Sequence, residues 1–207
     1  MYTSQNEQDQ KMVNTNIRRM AVIGRFQPFH NGHLLLVRQI LKESNEVLVV
    51  IGSAQLNYTF ENPFTVGERI LMIRAALIEG EVDLSKIIIV PIVDEEDNAV
   101  WFPNLVSMLP PFEVLYSGNK LVVTLASSHL EVKSPKFVNR KRFNGSYIRY
   151  KMVRGDKWAH LVSKSVFDII YSMGGIDRLK ALAKHENLEN YKMNNLKRTI
   201  SLRNKIR

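Results

Sequence analysis

Ile23-Gly24-Arg25-Phe26-Gln27-Pro28-Phe29-His30-Asn31-Gly32-His33 is the point where a short strand hands over to a helix. Ala21-Val22-Ile23 supplies the buried strand, and beyond the turn Leu34, Leu35, Val37, Ile40 and Leu41 recur at helical spacing. Gly24 lets the backbone approach a ligand closely, and Pro28 stiffens the turn. His30 and His33 flank Gly32 just as the helix begins. A helix start offers free N–H groups and a charge of about +0.5, which suits a phosphate. Arg25 and two imidazoles add donors directed at the same anion, and fixed donors of this kind stabilise a pentavalent phosphorus transition state. The histidine spacing alone would also fit a metal pair or two unrelated surface residues. No carboxylate or cysteine stands near enough in sequence to complete a metal site, so no protein metal ligand is expected. The strand–turn–helix setting argues against unrelated surface residues. Neither GxxxxGK[ST] nor GxGxxG occurs anywhere in the chain.

Outward from this turn, strands and helices alternate. Val47 to Ile51 is a second β-branched run ending at Gly52; Ile87 to Val93, Glu113 to Tyr116 and a weaker stretch near Leu130-Glu131-Val132 follow. Thr65 and Glu68 have capping-box spacing and open a helix through Ile70, Ile73, Leu77 and Ile78. Further helices are predicted after Asn119 and from near Asn144, Ser163 and Ile176. The strands are continuous apolar runs rather than alternating ones. That pattern predicts an α/β doubly wound parallel sheet with helices on both faces, plus a C-terminal helical segment. Ligands of such sheets sit beyond the carboxyl ends of the strands, which directs attention to Gly24, Gly52, Asp94 and Ser117. Three regions are expected: a polar arm over 1–17, the main domain over 18–175 and a basic helical extension over 176–207.

Composition removes several function classes. Of 207 residues 45% are apolar and 24% charged, as in an ordinary globular protein. The absence of cysteine excludes disulfides, thiolate metal sites and a cysteine nucleophile. The longest apolar stretch, Ile87 to Val93, is far short of the roughly 20 residues of a membrane span. Met1 to Gln10 is polar and has no apolar signal core, so the expected location is cytoplasmic. The net charge is +9, of which residues 176–207 carry +6. The body is only mildly basic, and Tyr191 is the lone aromatic within the basic tail, which argues against nucleic acid as a partner.

GRFQPFHNGH, residues 24–33, resembles the (H/T)xGH signature of the nucleotidylyltransferase superfamily, in the form found in archaeal-type nicotinamide mononucleotide (NMN) adenylyltransferases. The resemblance continues in order and spacing through Ile51-Gly52-Ser53-Ala54-Gln55, Pro63-Phe64-Thr65 with Gly67-Glu68-Arg69, Asn98-Ala99-Val100-Trp101, and Pro110-Pro111-Phe112 followed by Tyr116-Ser117-Gly118-Asn119. It covers roughly residues 20–183. The second family signature, SGTxxR, stands here as Asn144-Gly145-Ser146-Tyr147-Ile148-Arg149, with Asn for Ser and Ser for Thr. A further departure is Glu61, where related enzymes often carry a basic residue.

The resemblance implies a Rossmann-like sheet and attack of the NMN 5′-phosphate on the α-phosphorus of ATP, giving NAD⁺ and pyrophosphate. It places His30, His33 and Arg149 in the catalytic set, with His33 nearest the transferred phosphorus and Arg25 and Arg149 on the β and γ groups. Gly24, Phe26, Phe29, Ser117, Gly118, Asn119, Asn144 and Ser146 would complete the ATP site. Trp101 would stack on the nicotinamide and Asn98 bond its carboxamide. Mg²⁺ would bridge phosphate oxygens, and a homo-oligomer, a hexamer by resemblance, is expected. Arg69 reads as a helix-surface ion-pair partner, and His129, His160 and His185 as structural or exposed. The alternatives are a nucleotidylyltransferase with a phosphopantetheine or FMN acceptor, and a non-catalytic module binding nucleotide or nucleic acid.

Overall fold

Continuous β-branched runs suit strands covered on both faces, and five such strands form the centre of the molecule. They are β1 (Arg19–Gly24), β2 (Glu46–Ile51), β3 (Ile87–Pro91), β4 (Val114–Ser117) and β5 (Glu131–Lys133). All neighbours are parallel, in the order β3-β2-β1-β4-β5. The computed structural model describes residues 17–135 and 143–186. The arm over 1–16 and the extension from 187 onward lie outside the described residues.

Seven helices connect and cover the strands among the described residues: α1 (Asn31–Ile40), α2 (Val66–Glu79), α3 (Asn98–Ser107), α4 (Lys120–Ala126), α5 (Gly145–Arg154), α6 (Lys164–Ser172) and α7 (Gly175–His185). Alternate strand residues face opposite layers. Met20, Val22, Val47, Val49 and Ile51 pack with α1, α2 and α5 to α7. Ala21, Leu48, Val50 and Leu115 pack with Trp101 and Leu105 of α3 and Val122 and Ala126 of α4. Each fully buried aliphatic side chain contributes about 1.5–3 kcal/mol, so both layers are needed to hold the sheet. The doubly wound expectation is borne out. Helix α7 reaches the first core through Leu179 and Ala183, so the described part of the expected C-terminal extension packs on the sheet layers.

Local readings held in part. Thr65 caps α2 as expected: its hydroxyl accepts from Glu68 N–H at 3.3 Å, while Glu68 Oε2 accepts from Thr65 N–H at 2.8 Å. Ile78 and Leu35, counted as apolar-face residues, are exposed, and Leu36 faces the core in place of Leu35. Helix α3 is not among the elements that the sequence predicts. Its signal was Asp97, whose carboxylate caps Ala99 N–H at 2.8 Å, but Pro103 within the helix conceals the pattern.

The order of strands reverses between β1 and β4. Gly24, Gly52, Asp94 and Ser117 all line one cavity of about 560 Å³ there.

Candidate active site

The floor of the cavity is the turn between β1 and α1. Phe26 adopts a left-handed backbone, φ 52°, and so does Ser53 after β2, φ 51°. Such conformations cost free energy in non-glycine residues and persist only where neighbours enforce them. Arg69 enforces both. Its guanidinium is fully buried and donates to the carbonyls of Arg25 at 3.1 Å, Gly52 at 3.0 Å, Ser53 at 3.1 Å and Ala54 at 3.2 Å. Burial, with repulsion from Arg25, pulls its pKa down to about 10, so it stays charged. The reading of Arg69 as a surface ion-pair partner is therefore corrected: backbone carbonyls, these four and that of Thr65 at 3.4 Å from Nε, rather than a carboxylate, are its partners. Gln27, a motif residue to which sequence gives no role, is locked by two bonds to the backbone of Phe64, Nε2 to the carbonyl at 2.9 Å and N–H to Oε1 at 3.0 Å.

His30 caps α1 and His33 is the third residue of that helix. His33 N–H donates to His30 Nδ1 at 3.3 Å, and His30 N–H donates to His33 Nδ1 at 3.2 Å. The rings stack at 3.5 Å between centroids with 13° between planes. An Nδ1 that accepts a hydrogen bond cannot carry the proton, so both rings are held as the Nε2–H tautomer. Burial pushes His30 down to about 3 and, with repulsion from His30, puts His33 well below its usual range. Both are neutral donors at neutral pH.

The second wall is the start of α5, capped by Asn144, whose Oδ1 accepts from Tyr147 N–H at 3.3 Å. Asn144 thus supplies a capping oxygen of the kind a serine would. One turn on, Arg149 Nη1 donates to the carbonyl of Gln27 at 2.8 Å and Nη2 to Ser146 Oγ at 3.0 Å. Nη2 also meets Glu61 Oε2 at 2.5 Å. Arg149 Nε is buried without a hydrogen-bond partner, an unmet donor beside the cavity. Burial, outweighing Glu61, lowers Arg149 to about 10, and it remains a cation.

Most of the residues read from sequence converge on this cavity: Gly24, Arg25, Phe26, His30, His33, Trp101, Ser117, Gly118, Asn119, Asn144, Ser146 and Arg149 all line it. Two do not. Phe29 is fully buried in the core beneath α1, because the turn carries its ring away from the opening. Asn98 is exposed at the first residue of α3 and is not part of the lining. Asp94, whose Oδ1 accepts from Ser53 N–H at 3.2 Å, lines the cavity although sequence marked it only as a strand end. His129 is exposed and stacks on Phe102, and His160 is exposed, as expected. Among the described residues no group of three or more His, Cys, Asp or Glu could hold a metal ion. No helix of the described residues is long and apolar enough to cross a membrane.

Comparison with known proteins places the chain in a family. Residues 21–151 match the cytidylyltransferase-like family. The chain is 43% identical to a nicotinamide-nucleotide adenylyltransferase of Methanolobus tindarius, over 82% of this chain and 97% of that one. It is 46% identical to a protein of the same name from Caldivirga maquilingensis, over 81% and 96%. In fold it is similar to a bifunctional NMN adenylyltransferase/ADP ribose pyrophosphatase from Francisella tularensis complexed with AMP and a manganese ion, with TM-score 0.71 and 22% identity. The alignment covers 87% of this chain and 56% of that larger one.

Proposed function

This chain belongs to the cytidylyltransferase-like family, and from that membership we infer that it transfers the adenylyl group of ATP to the 5′-phosphate of NMN. The products are NAD⁺ and pyrophosphate, so the enzyme serves NAD biosynthesis. The observation that carries the reading is convergence. Two helix N-termini, two neutral imidazoles and two arginines meet at one cavity, which also holds Trp101.

In the reaction an oxygen of the NMN phosphate forms a bond to the α-phosphorus of ATP. The bond from that phosphorus to its bridging oxygen breaks, and its electron pair departs on pyrophosphate. The attacking phosphate is already ionised, so no side chain must take a proton. What remains is alignment and charge neutralisation. His30 and His33 donate Nε2–H to the phosphates, His33 nearest the transferred group. Arg25 and Arg149, both lining the cavity, neutralise the leaving β and γ groups. Gly24, Ser146 and the start of α5 add close backbone and hydroxyl contacts, while Ser117, Gly118 and Asn119 line the adenine side. Trp101 presents an indole face to the cationic pyridine ring.

The donor set fits a divalent cation that arrives on the triphosphate, magnesium in our reading. Its ligands would be phosphate oxygens and water, since both imidazole Nδ1 atoms are committed to backbone N–H groups. When bound, it neutralises charge on the leaving group. A cytoplasmic homo-oligomer completes the proposal, carried by the family resemblance and testable by light scattering.

The direct test is NAD⁺ formation from ATP, magnesium and NMN, with the acid form of NMN, phosphopantetheine and FMN as parallel acceptors. Turnover is expected with NMN. Turnover with phosphopantetheine or FMN alone would keep the phosphate site and remove Trp101 from substrate recognition. No turnover with any acceptor would overturn the reading.

A further inference from the structure

Glu61 is the acid that stands where a phosphate-binding site would be expected to favour a base. Its Oε2 lies 2.5 Å from Arg149 Nη2 and 3.6 Å from Arg25 Nη2, so one carboxylate bridges both arginines assigned to the leaving phosphates. We propose that Glu61 is a placeholder for the terminal phosphates of ATP, pairing with Arg149 and Arg25 before the nucleotide binds and yielding them when the triphosphate arrives. The proposal rests on the adenylyl-transfer reading above and deepens it.

Four observations favour displacement over a purely structural ion pair. Arg149 does not need Glu61 to stay in place: it is held by Gln27 O and Ser146 Oγ, and its guanidinium lies 5.7 Å from the Phe60 ring. Its side chain is 2% exposed, whereas that of Glu61 is 40% exposed, so the carboxylate can turn to water at little cost while the guanidinium cannot. Arg149 Nε–H has no hydrogen-bond partner, so the pair with Glu61 leaves the guanidinium incompletely satisfied. Finally, the loop has anchors of its own besides the two arginines. Phe60 N–H donates to Glu186 Oε1 at 2.6 Å, and the Tyr58 ring lies 5.1 Å from the Arg178 guanidinium. These anchors hold the loop backbone without using the Glu61 carboxylate.

The physical logic is electrostatic. Two cations brought together repel, and a carboxylate between them offsets that repulsion until a polyanion replaces it. Once pyrophosphate has formed, the same carboxylate competes with it for the arginines and speeds its departure. Glu61 therefore tunes affinity for the β and γ groups and leaves affinity for the adenylyl half untouched.

Calorimetric titration of the full chain and of Glu61→Gln tests this, with sodium pyrophosphate and AMP as separate probes and no added metal. Glutamine keeps the size and loses the charge. Pyrophosphate is expected to bind Glu61→Gln roughly three- to tenfold more tightly, the range for displacing one partly exposed charge-assisted pair, with AMP unchanged. Glu61→Ala gives the same direction should the glutamine variant not fold. Equal or weaker pyrophosphate binding overturns the proposal, as does equal tightening of AMP. If AMP binds both proteins and pyrophosphate neither, the placeholder falls and adenylyl transfer stands. If neither probe binds either protein, the site reading beneath both falls.

Discussion

A Cβ on Gly145 would lie 2.8 Å from the carbonyl oxygen of Gln27, the same oxygen that accepts a 2.8 Å hydrogen bond from Arg149. The contact joins the two motifs into one surface. A second glycine makes the matching contact, since a Cβ on Gly32 would lie 2.7 Å from Phe143 Cβ. Both glycines are set by close approach between segments distant in sequence; neither has a backbone angle that requires glycine. The helix starts that cradle phosphate can share one cavity only because nothing projects between them.

Gly145→Ala should therefore separate the motifs while leaving the rest of the core intact. Displacing a catalytic group by about 1 Å costs up to about a hundredfold. We expect kcat/KM to fall by about ten- to a hundredfold with only a small change in melting temperature. Steady-state kinetics and thermal melting check it together, and unchanged kinetics would contradict the shared-surface account.

His33→Ala removes a neutral donor from the site and one half of the reciprocal cap of α1. Loss of a positioned donor at a developing charge typically costs about a hundred- to a thousandfold in turnover. Loss of the cap costs about 1 kcal/mol of stability. A folded variant with wild-type turnover would remove His33 from the reaction.

Acid should weaken the fold through His30. Its folded pKa lies near 3 against 6.5 for an ordinary imidazole, so between those values the unfolded chain binds a proton that the folded chain refuses. The associated stability is complete above pH 6.5 and is lost progressively as pH falls towards 3. Melting temperature should drop on acidification through that window. His30→Asn, which keeps a capping acceptor, should flatten the slope. Raising pH through 6.5 removes no charge from the imidazoles, because they are neutral already.

Arg69→Met should be the most destabilising of these changes. It strands the carbonyls of Gly52 and Ser53 in a buried setting and leaves the left-handed turns at Phe26 and Ser53 without their brace. Each buried carbonyl left without its donor costs about 1–3 kcal/mol. Urea denaturation measures it, and a loss within about 0.5 kcal/mol, as at an ordinary surface site, would contradict the bracing role.

Much of the fold was legible because its signals are local. Val47 to Ile51 is β-branched and continuous, so it reads as a covered parallel strand; Thr65 with Glu68 reads as a helix start. The strand ends that should hold ligand were legible too, since Gly24, Gly52, Asp94 and Ser117 follow from topology alone. Helix α3 was concealed by Pro103, whose missing N–H is tolerated in this context.

Sequence by itself determined the element types other than α3, the doubly wound class and the two motifs with their histidines and arginine, because periodicity, capping and helix-start chemistry act over a few residues. Only the tertiary structure decided that Phe29 faces the core, that Asn98 stays outside the cavity, that Arg69 points inward to backbone carbonyls and that Glu61 reaches Arg149. Each of those depends on which distant backbone a side chain meets, and on whether burial leaves it any other partner.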